Sequence, residues 1–184
     1  MSSDALLMNI FCYPRITRKP EVGSVLGIER GSHPEFGFRP RVPLVSGAIE
    51  RTEIDLKLGN VLFEAKLTEG DFQMQRADLV EGYRDFKEVF EYRQLRTAGK
   101  KYVSYQLIRN VLAAHALALE FCALIDARRP DLMEDWYEVL RSIRSLDHRA
   151  RCKVLTWQEL ARVLPRVLQN FLGAKYGVIP RSCI

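Results

Sequence analysis

The chain has 184 residues, of which 47% are hydrophobic and 28% are charged, as is typical of a soluble globular protein. This length suits one full hydrophobic core, so residues 1–184 are predicted to form a single domain. No apolar run approaches the ~20 residues that a membrane-spanning helix needs, and the N-terminus lacks the pattern of a secretion signal. We therefore expect a cytoplasmic protein with no membrane partner.

The cysteines and histidines are scattered along the chain. They lie at Cys12, Cys122, Cys152, Cys183, His33, His115 and His148. No Cys-x-x-Cys pair or paired Cys/His spacing occurs among them. The pattern predicts reduced thiols and argues against a zinc site or a disulfide framework.

The chain is basic, with a net charge of +5 and a pI near 9.1. Its basic residues are concentrated at 15–19, 93–101 and 141–153. A polyanionic partner such as DNA would suit this charge. Charge clusters are more often solvated surfaces than binding sites, so this pattern counts only beside an independent site.

The N-terminal third combines one helix with a segment that has no clear period. Residues 2–4, Ser-Ser-Asp, can cap a helix that runs to about Phe11. Residues 13–41 are rich in proline, glycine and arginine, and we predict an irregular DNA-facing loop or an insertion that carries specificity. Residues 42–46 are predicted to form the first sheet strand, at an edge because Pro43 has no N–H to donate.

A β-hairpin follows, because two alternating segments flank Gly59-Asn60, a pair that suits a two-residue turn. The strands are predicted at 51–58 and 61–67. If Leu58 pairs with Val61, one face of the hairpin carries only apolar side chains. These are Ile54, Leu56, Leu58, Val61, Phe63 and Ala65.

On the other face of the hairpin, this register sets Asp55 directly opposite Glu64 and Glu53 opposite Lys66. Opposed side chains lie about 4.5–5.5 Å apart at Cβ, and like charges there destabilise a sheet. A divalent cation would relieve the repulsion, and a neighbouring lysine suits phosphodiester chemistry. The alternative is a solvated face of mixed ion pairs in which Lys57 offsets part of the repulsion.

Downstream of the hairpin the apolar pattern alternates between helical and strand periods. It predicts helices at 74–95, 104–115, 130–145 and 156–172, and strands at 117–126 and 152–155. Thr156 and Glu159 form a capping box for the last helix, and Gly173 is predicted to end it. The order of elements predicts a mixed sheet flanked by helices.

The acidic hairpin resembles the PD-(D/E)XK nuclease superfamily, in which one strand carries an acid and the next carries acid-x-Lys. Asp55 matches the first acid and Glu64-Ala65-Lys66 the tripeptide, while Ile54 replaces the proline. The context resembles an uncharacterised bacterial branch at residues 64–69, 105–110 and 156–160. The resemblance implies an α/β, restriction-endonuclease-like fold, with a mixed β-sheet flanked by α-helices on both faces.

The resemblance also implies a metal centre for Mg²⁺ or Mn²⁺. Asp55, Glu64 and the backbone carbonyl of Ala65 would be ligands, and waters would complete an octahedral oxygen shell. Glu53 and Glu50 are further candidate ligands, because both lie near the same end of the hairpin.

The remaining roles fall to residues beside the metal centre. Lys66 would position the attacking water and stabilise the transition state. Gln106 is carried over as a contact to the metal-bound phosphate, although Asn110 stands where relatives have tyrosine; a polar solvent stripe is the alternative. Relatives often place a glutamate on the first helix, where this chain has only Asp4.

The function implied is that of a metal-dependent nuclease that hydrolyses DNA phosphodiester bonds. Two other functions stay open on the sequence: a catalytically inactive relative that binds DNA or serves in assembly, and a nuclease for RNA or branched DNA with the same site. A homodimer would supply two sites for a double-strand break, but nothing in the sequence requires one.

Overall fold

The computed structural model describes residues 2–180, which form α-helices and β-strands around one mixed central sheet. The helices are α1 Ser3–Phe11, α2 Pro20–Leu26, α3 Ala77–Val80, α4 Phe86–Val89, α5 Tyr105–Ala116, α6 Pro130–Ser142, α7 Leu146–Ala150, α8 Trp157–Val163 and α9 Arg166–Tyr176. The strands are β1 Pro34–Phe38, β2 Val42–Pro43, β3 Ile49–Glu50, β4 Ile54–Leu58, β5 Val61–Lys66, β6 Gln75–Arg76, β7 Thr97–Ala98, β8 Lys101–Tyr102, β9 Glu120–Ile125 and β10 Cys152–Thr156. Single 3₁₀ turns occupy Ile16–Arg18 and Tyr92–Gln94.

The central sheet has the strand order β1-β4-β5-β9-β10. β1, β4 and β5 pair antiparallel, whereas β5, β9 and β10 run parallel. Two small sheets lie outside it, one made of β2 and β3 and the other ordered β6-β8-β7. All residues of β5 are buried, because β5 has a strand on each side and helices over each face.

Helices cover both faces of the central sheet. One face packs against α5 and α6, whose Leu107, Val111 and Trp136 belong to the first apolar cluster. The other face packs against α1, α8 and α9 through residues that include Leu7 and Trp157. The predicted α/β, restriction-endonuclease-like architecture is confirmed. No helix within residues 2–180 is both long and apolar enough to cross a membrane.

The hairpin register is confirmed for Leu58 with Val61 and Leu56 with Phe63. Beyond those pairs the β4–β5 ladder ends, so Asp55 and Glu64 are not a ladder pair. Ile54 pairs instead with Phe38 of β1 and packs in the α5 cluster, which corrects its predicted place beside Leu56. The two strands therefore diverge at the position of Asp55.

The prediction of an irregular segment at 13–41 was wrong. It contains α2, which begins at Pro20 and ends before Gly27 in the left-handed conformation, and β1, an edge strand of the central sheet. The strand predicted at 42–46 is only β2, and it pairs with β3 outside the central sheet. Short elements bounded by proline and glycine give too little periodicity to read.

Two predicted helices are broken. Residues 74–95 form β6, the one-turn helices α3 and α4 and a 3₁₀ turn, with Gly82 among the turns between α3 and α4. The capping box of Thr156 and Glu159 is confirmed. Its helix stops at Val163 because Pro165 cannot continue the hydrogen-bond ladder, and α9 then runs through Gly173 to Tyr176. The other predicted helices and strands agree with α1, α5, α6, β9 and β10 to within about three residues.

Candidate active site

Asp55 lies where β4 and β5 diverge, and its side chain, instead of a backbone carbonyl of β4, accepts a hydrogen bond from β5. Its Oδ2 accepts a hydrogen bond of 2.7 Å from the N–H of Ala65. Burial and the nearby charge of Glu64 raise the pKa of Asp55 to about 7, although the Ala65 bond and Lys66 act to lower it. The Ala65 hydrogen bond and Lys66 therefore only partly offset burial and the charge of Glu64, and Asp55 is incompletely ionised near neutral pH.

Glu64, in the middle of β5, has no exposed surface. Its Oε1 accepts a hydrogen bond of 3.0 Å from Nζ of Lys66, and its Oε2 accepts one of 2.6 Å from Nδ2 of Asn110. The guanidinium of Arg109 lies 3.9 Å from Oε2. Each carboxylate oxygen thus has a protein donor and retains lone pairs for a further ligand.

Lys66 ends β5 and is held at both its backbone and its side chain. Its carbonyl accepts a hydrogen bond of 2.8 Å from Nε1 of Trp157 on α8. Its ammonium lies 5.6 Å from the ring centroid of Phe72, and the residue is only 6% exposed. A buried ammonium fixed beside Glu64 can serve as a directed positive charge.

Arg109 and Asn110 on α5 support Glu64, a role that was not predicted for either residue. Arg109 donates from Nε to Oδ1 of Asn110 at 3.0 Å, and from Nη2 to the carbonyl of Glu53 at 3.0 Å. Because Oδ1 of Asn110 accepts from Arg109, the amide must turn Nδ2 toward Glu64. An arginine and an asparagine adjacent within the otherwise apolar stretch 107–114 were the available signal.

Gln106 lies one turn before Asn110 on the same face of α5. Its backbone N–H donates to the carbonyl of Phe72 at 3.0 Å. Its side-chain oxygen is buried and has no hydrogen-bond partner among residues 2–180. No described contact joins Gln106 to Glu64 or Lys66, so its role stays a prediction.

The other candidate acids surround Asp55 unequally. A pocket of about 240 Å³ between α1 and the start of β4 is lined by Asp55 together with Glu53 and Asp4. Glu53 also forms an exposed ion pair with Arg39. Glu50 accepts a hydrogen bond from the Thr52 amide, and no contact described for residues 2–180 joins Glu50 to Asp55. Of these acids, Glu53 and Asp4 share the pocket of Asp55.

The donor set suits a hard divalent cation. The buried carboxylate of Glu64 and the half-buried one of Asp55 lie close together, and a cation would neutralise the charge that raises the pKa of Asp55. Within residues 2–180 no group of three or more His, Cys, Asp and Glu side chains is arranged to hold a metal. A metal bound here would therefore need backbone oxygen and water as its remaining ligands, as is common for Mg²⁺.

The mixed sheet and its helices define a restriction-endonuclease-like protein. A family model described as Restriction Endonuclease associating with ARP matches residues 1–177, and the chain belongs to this family. Neither the curated proteins nor the solved structures include a significant match. The family indicates a nuclease-like function.

Proposed function

We propose that the protein is a metal-dependent nuclease of PD-(D/E)XK type that hydrolyses DNA phosphodiester bonds. The observation that carries the proposal is the pairing of half-buried Asp55 with buried Glu64, whose carboxylate accepts a hydrogen bond from the ammonium of Lys66. Membership of a restriction-endonuclease family supports the reaction class and suggests DNA as the substrate. A homodimer and the choice among DNA forms remain predictions.

In this proposal Asp55, Glu64 and the Ala65 carbonyl would hold Mg²⁺ or Mn²⁺, with Glu53 and Glu50 as further candidates. The bound metal would acidify a water and neutralise charge on the attacked phosphate. Asp55 is held for this task by the Ala65 amide, and Glu64 by Asn110.

Lys66 and Gln106 would act on the water and the phosphate. Lys66 would orient the attacking water and stabilise the negative charge that develops on the phosphate oxygens. Gln106 would contact the phosphate or a bound water, which would give its buried oxygen or its amide N–H a partner from outside the chain.

A second candidate function is a catalytically inactive nuclease-fold module that binds DNA or serves in assembly. The observation in its favour is that both oxygens of Glu64 already have protein donors. In such a module the Lys66–Glu64–Asn110 chain would serve only to stabilise the end of β5.

A cleavage assay separates the two candidates. Plasmid, linear, branched and single-stranded DNA, with RNA in parallel, are incubated with Mg²⁺, Mn²⁺ or EDTA. Lys66→Met keeps the apolar stem of the side chain, and Lys57→Met is the control, because Lys57 lies in the same hairpin but pairs with Glu35. We expect metal-dependent cutting that only Lys66→Met abolishes. An absence of cutting, with no Mn²⁺ binding by calorimetry, would favour the inactive module.

A further inference from the structure

The small sheet β6-β8-β7 forms a surface ribbon beside the start of α5. Its strands pair antiparallel, with Gln75 opposite Tyr102 and Ala98 opposite Lys101. The turn at Gly99, whose φ is +59°, joins β7 to β8 as a hairpin. We call residues 75–76 and 93–102 the basic ribbon.

The basic ribbon carries a concentrated positive charge. Residues 93–101 include four cations and no acid: Arg93, Arg96, Lys100 and Lys101. Arg96 is neutralised by α6, since its Nη2 lies 2.7 Å from Asp135. The other three are exposed, and none forms an ion pair with any residue in the range 2–180. Three cations of the ribbon are thus available to an external anion.

Tyr102, the one aromatic residue of the basic ribbon, points into the core, and Tyr92 beside the ribbon is half-buried. Tyr102 is buried and packs edge-on against Phe86, with ring centroids 5.5 Å apart. Phe72, next to the ribbon, is also buried. Binding of single-stranded nucleic acid relies on bases stacking on exposed aromatic rings. A surface with cations and no exposed aromatic ring fits a phosphate backbone better than unstacked bases.

Phe72 and Gln73, which lie just before β6, connect the ribbon to α5 and to the candidate active site. The N–H groups of Tyr105 and Gln106, at the start of α5, donate to the carbonyls of Gln73 and Phe72 at 2.9 and 3.0 Å. The ring of Phe72 in turn contacts the ammonium of Lys66. The ribbon therefore extends from the end of β5 that carries Lys66.

We propose that the basic ribbon binds the phosphate backbone of duplex DNA and holds the duplex against the candidate active site. Within the ribbon, the β7–β8 hairpin is two-stranded, and a two-stranded β-ribbon can enter the major groove, which is about 12 Å wide. Arg93, Lys100 and Lys101 contact phosphates, and the short link through Phe72 keeps the bound duplex near Lys66. The inference rests on the proposed function for DNA as the polyanion.

The test is DNA binding in EDTA, where no cutting occurs. Fluorescence anisotropy of a labelled duplex is compared for the wild type, for R93Q/K100Q/K101Q and for the control R162Q/R166Q/K175Q. The control removes the same charge from exposed cations of α8 and α9, over the opposite face of the sheet. Far-UV circular dichroism and thermal melts verify that each variant is folded.

We expect the ribbon variant to bind the duplex about tenfold more weakly or worse near 0.1 M salt, because three phosphate contacts are lost. The slope of log K against log[salt] should become shallower by about 2.7, or roughly 0.9 per contact. The control should bind within about twofold of the wild type. Equal losses in both variants, no loss in the ribbon variant, or no duplex binding by the wild type would each overturn the proposal.

Two further results separate this proposal from the proposed function. If the ribbon variant loses only single-stranded DNA or RNA binding, the duplex assignment is wrong. If duplex binding depends on the ribbon but the wild type neither binds Mn²⁺ nor cuts, the ribbon stands and the nuclease proposal fails. If cutting depends on Lys66 while the ribbon variant binds normally, the nuclease proposal stands and the ribbon proposal fails.

Discussion

Asp126, which is buried, and Asp55, which is half-buried, lie at the same end of the central sheet, but the surrounding protein shifts their pKa values in opposite directions. Asp126 directly follows β9, whose last residue, Ile125, pairs with Lys66 of β5. It accepts hydrogen bonds from the backbone and guanidinium of Arg128 and from Gln158. Burial acts to raise its pKa, but these donors outweigh burial and lower it.

Asp55 has only the Ala65 amide as a hydrogen-bond donor among residues 2–180, and Glu64 is close by. Its pKa is raised where that of Asp126 is lowered. A carboxylate whose charge is stabilised by several protein donors contributes to folding stability. A carboxylate with few donors and a negative neighbour can instead bind an external cation. Under the proposed function, Asp126 would serve the structure and Asp55 would serve the metal centre.

The largest effect expected is on DNA cutting. Asp55→Asn keeps an acceptor for the Ala65 amide but removes the charge, so cutting should fall roughly a thousandfold. Asp126→Asn, the matched change at the other aspartate, should keep cutting within about threefold in folded protein. Plasmid nicking rates with Mg²⁺ measure both. Equal losses in the two variants would remove the distinction between the aspartates.

The next effect concerns the support of Glu64 by Asn110. Asn110→Leu removes the 2.6 Å bond to Glu64, and loss of such an outer contact weakens metal binding by about 10- to 100-fold. Asn9→Leu is the control, because Asn9 bonds Tyr176 on the opposite side of the sheet. Mn²⁺ titrations should show weakened binding in Asn110→Leu alone. Unchanged affinity in Asn110→Leu would show that Glu64 needs no support.

Stability should respond in the opposite order to activity. Asp126→Asn leaves the donors around it poorly matched, so the free energy of unfolding should fall by about 2 kcal/mol. Asp55→Asn relieves repulsion from Glu64 and should not lower stability in EDTA at pH 8. Urea unfolding followed by circular dichroism measures both. A large loss in Asp55→Asn would mean that its charge serves the fold.

The pH dependence of stability should differ in sign between the two aspartates. The folded-state pKa of Asp55 is raised above its ordinary value of 3.8, so its ionisation removes stability as pH rises from about 4 to about 7. The slope is at most about 1.4 kcal/mol per pH unit. The pKa of Asp126 is lowered, so its charge stabilises the folded state at pH values above its ordinary pKa of 3.8. This stability is lost as the pH falls through the lowered pKa.

Urea unfolding in EDTA from pH 3 to pH 8 tests this difference. Asp55→Asn should abolish the decline between pH 4 and pH 7 while leaving the acid limb. Asp126→Asn should flatten the acid limb alone. A wild-type curve that rises between pH 4 and pH 7, with Asp55→Asn parallel to it, would contradict the raised pKa.

The hairpin was predictable because its information is local. A two-residue turn and an alternating pattern fix which residues oppose each other, so Leu58–Val61 and Leu56–Phe63 followed from the sequence. The same locality gave α5 and the capping box of α8.

Other features depended on contacts that no local pattern encodes. Asn110 reaches Glu64 across 46 residues of chain, and only the packing of α5 on β5 brings them together. The buried aromatic residues at 74–95 have a helix-like spacing, but they lie on short one-turn helices and the turns beside them instead of on one continuous helix. The divergence of β4 from β5 at Asp55 also follows from the pairing of Ile54 with Phe38, which lies in a segment predicted to be irregular.

The most direct test of the account is Mn²⁺ calorimetry at pH 6, in two buffers with different ionisation enthalpies. With the pKa of Asp55 near 7, most of the Asp55 carboxyl groups are protonated at pH 6, so Mn²⁺ binding should release this proton to the buffer. One Mn²⁺ per chain is predicted, and this proton release should be lost in Asp55→Asn. No binding, or binding that Asp55→Asn leaves unchanged, would contradict the assignment of Asp55 and Glu64 as a metal centre.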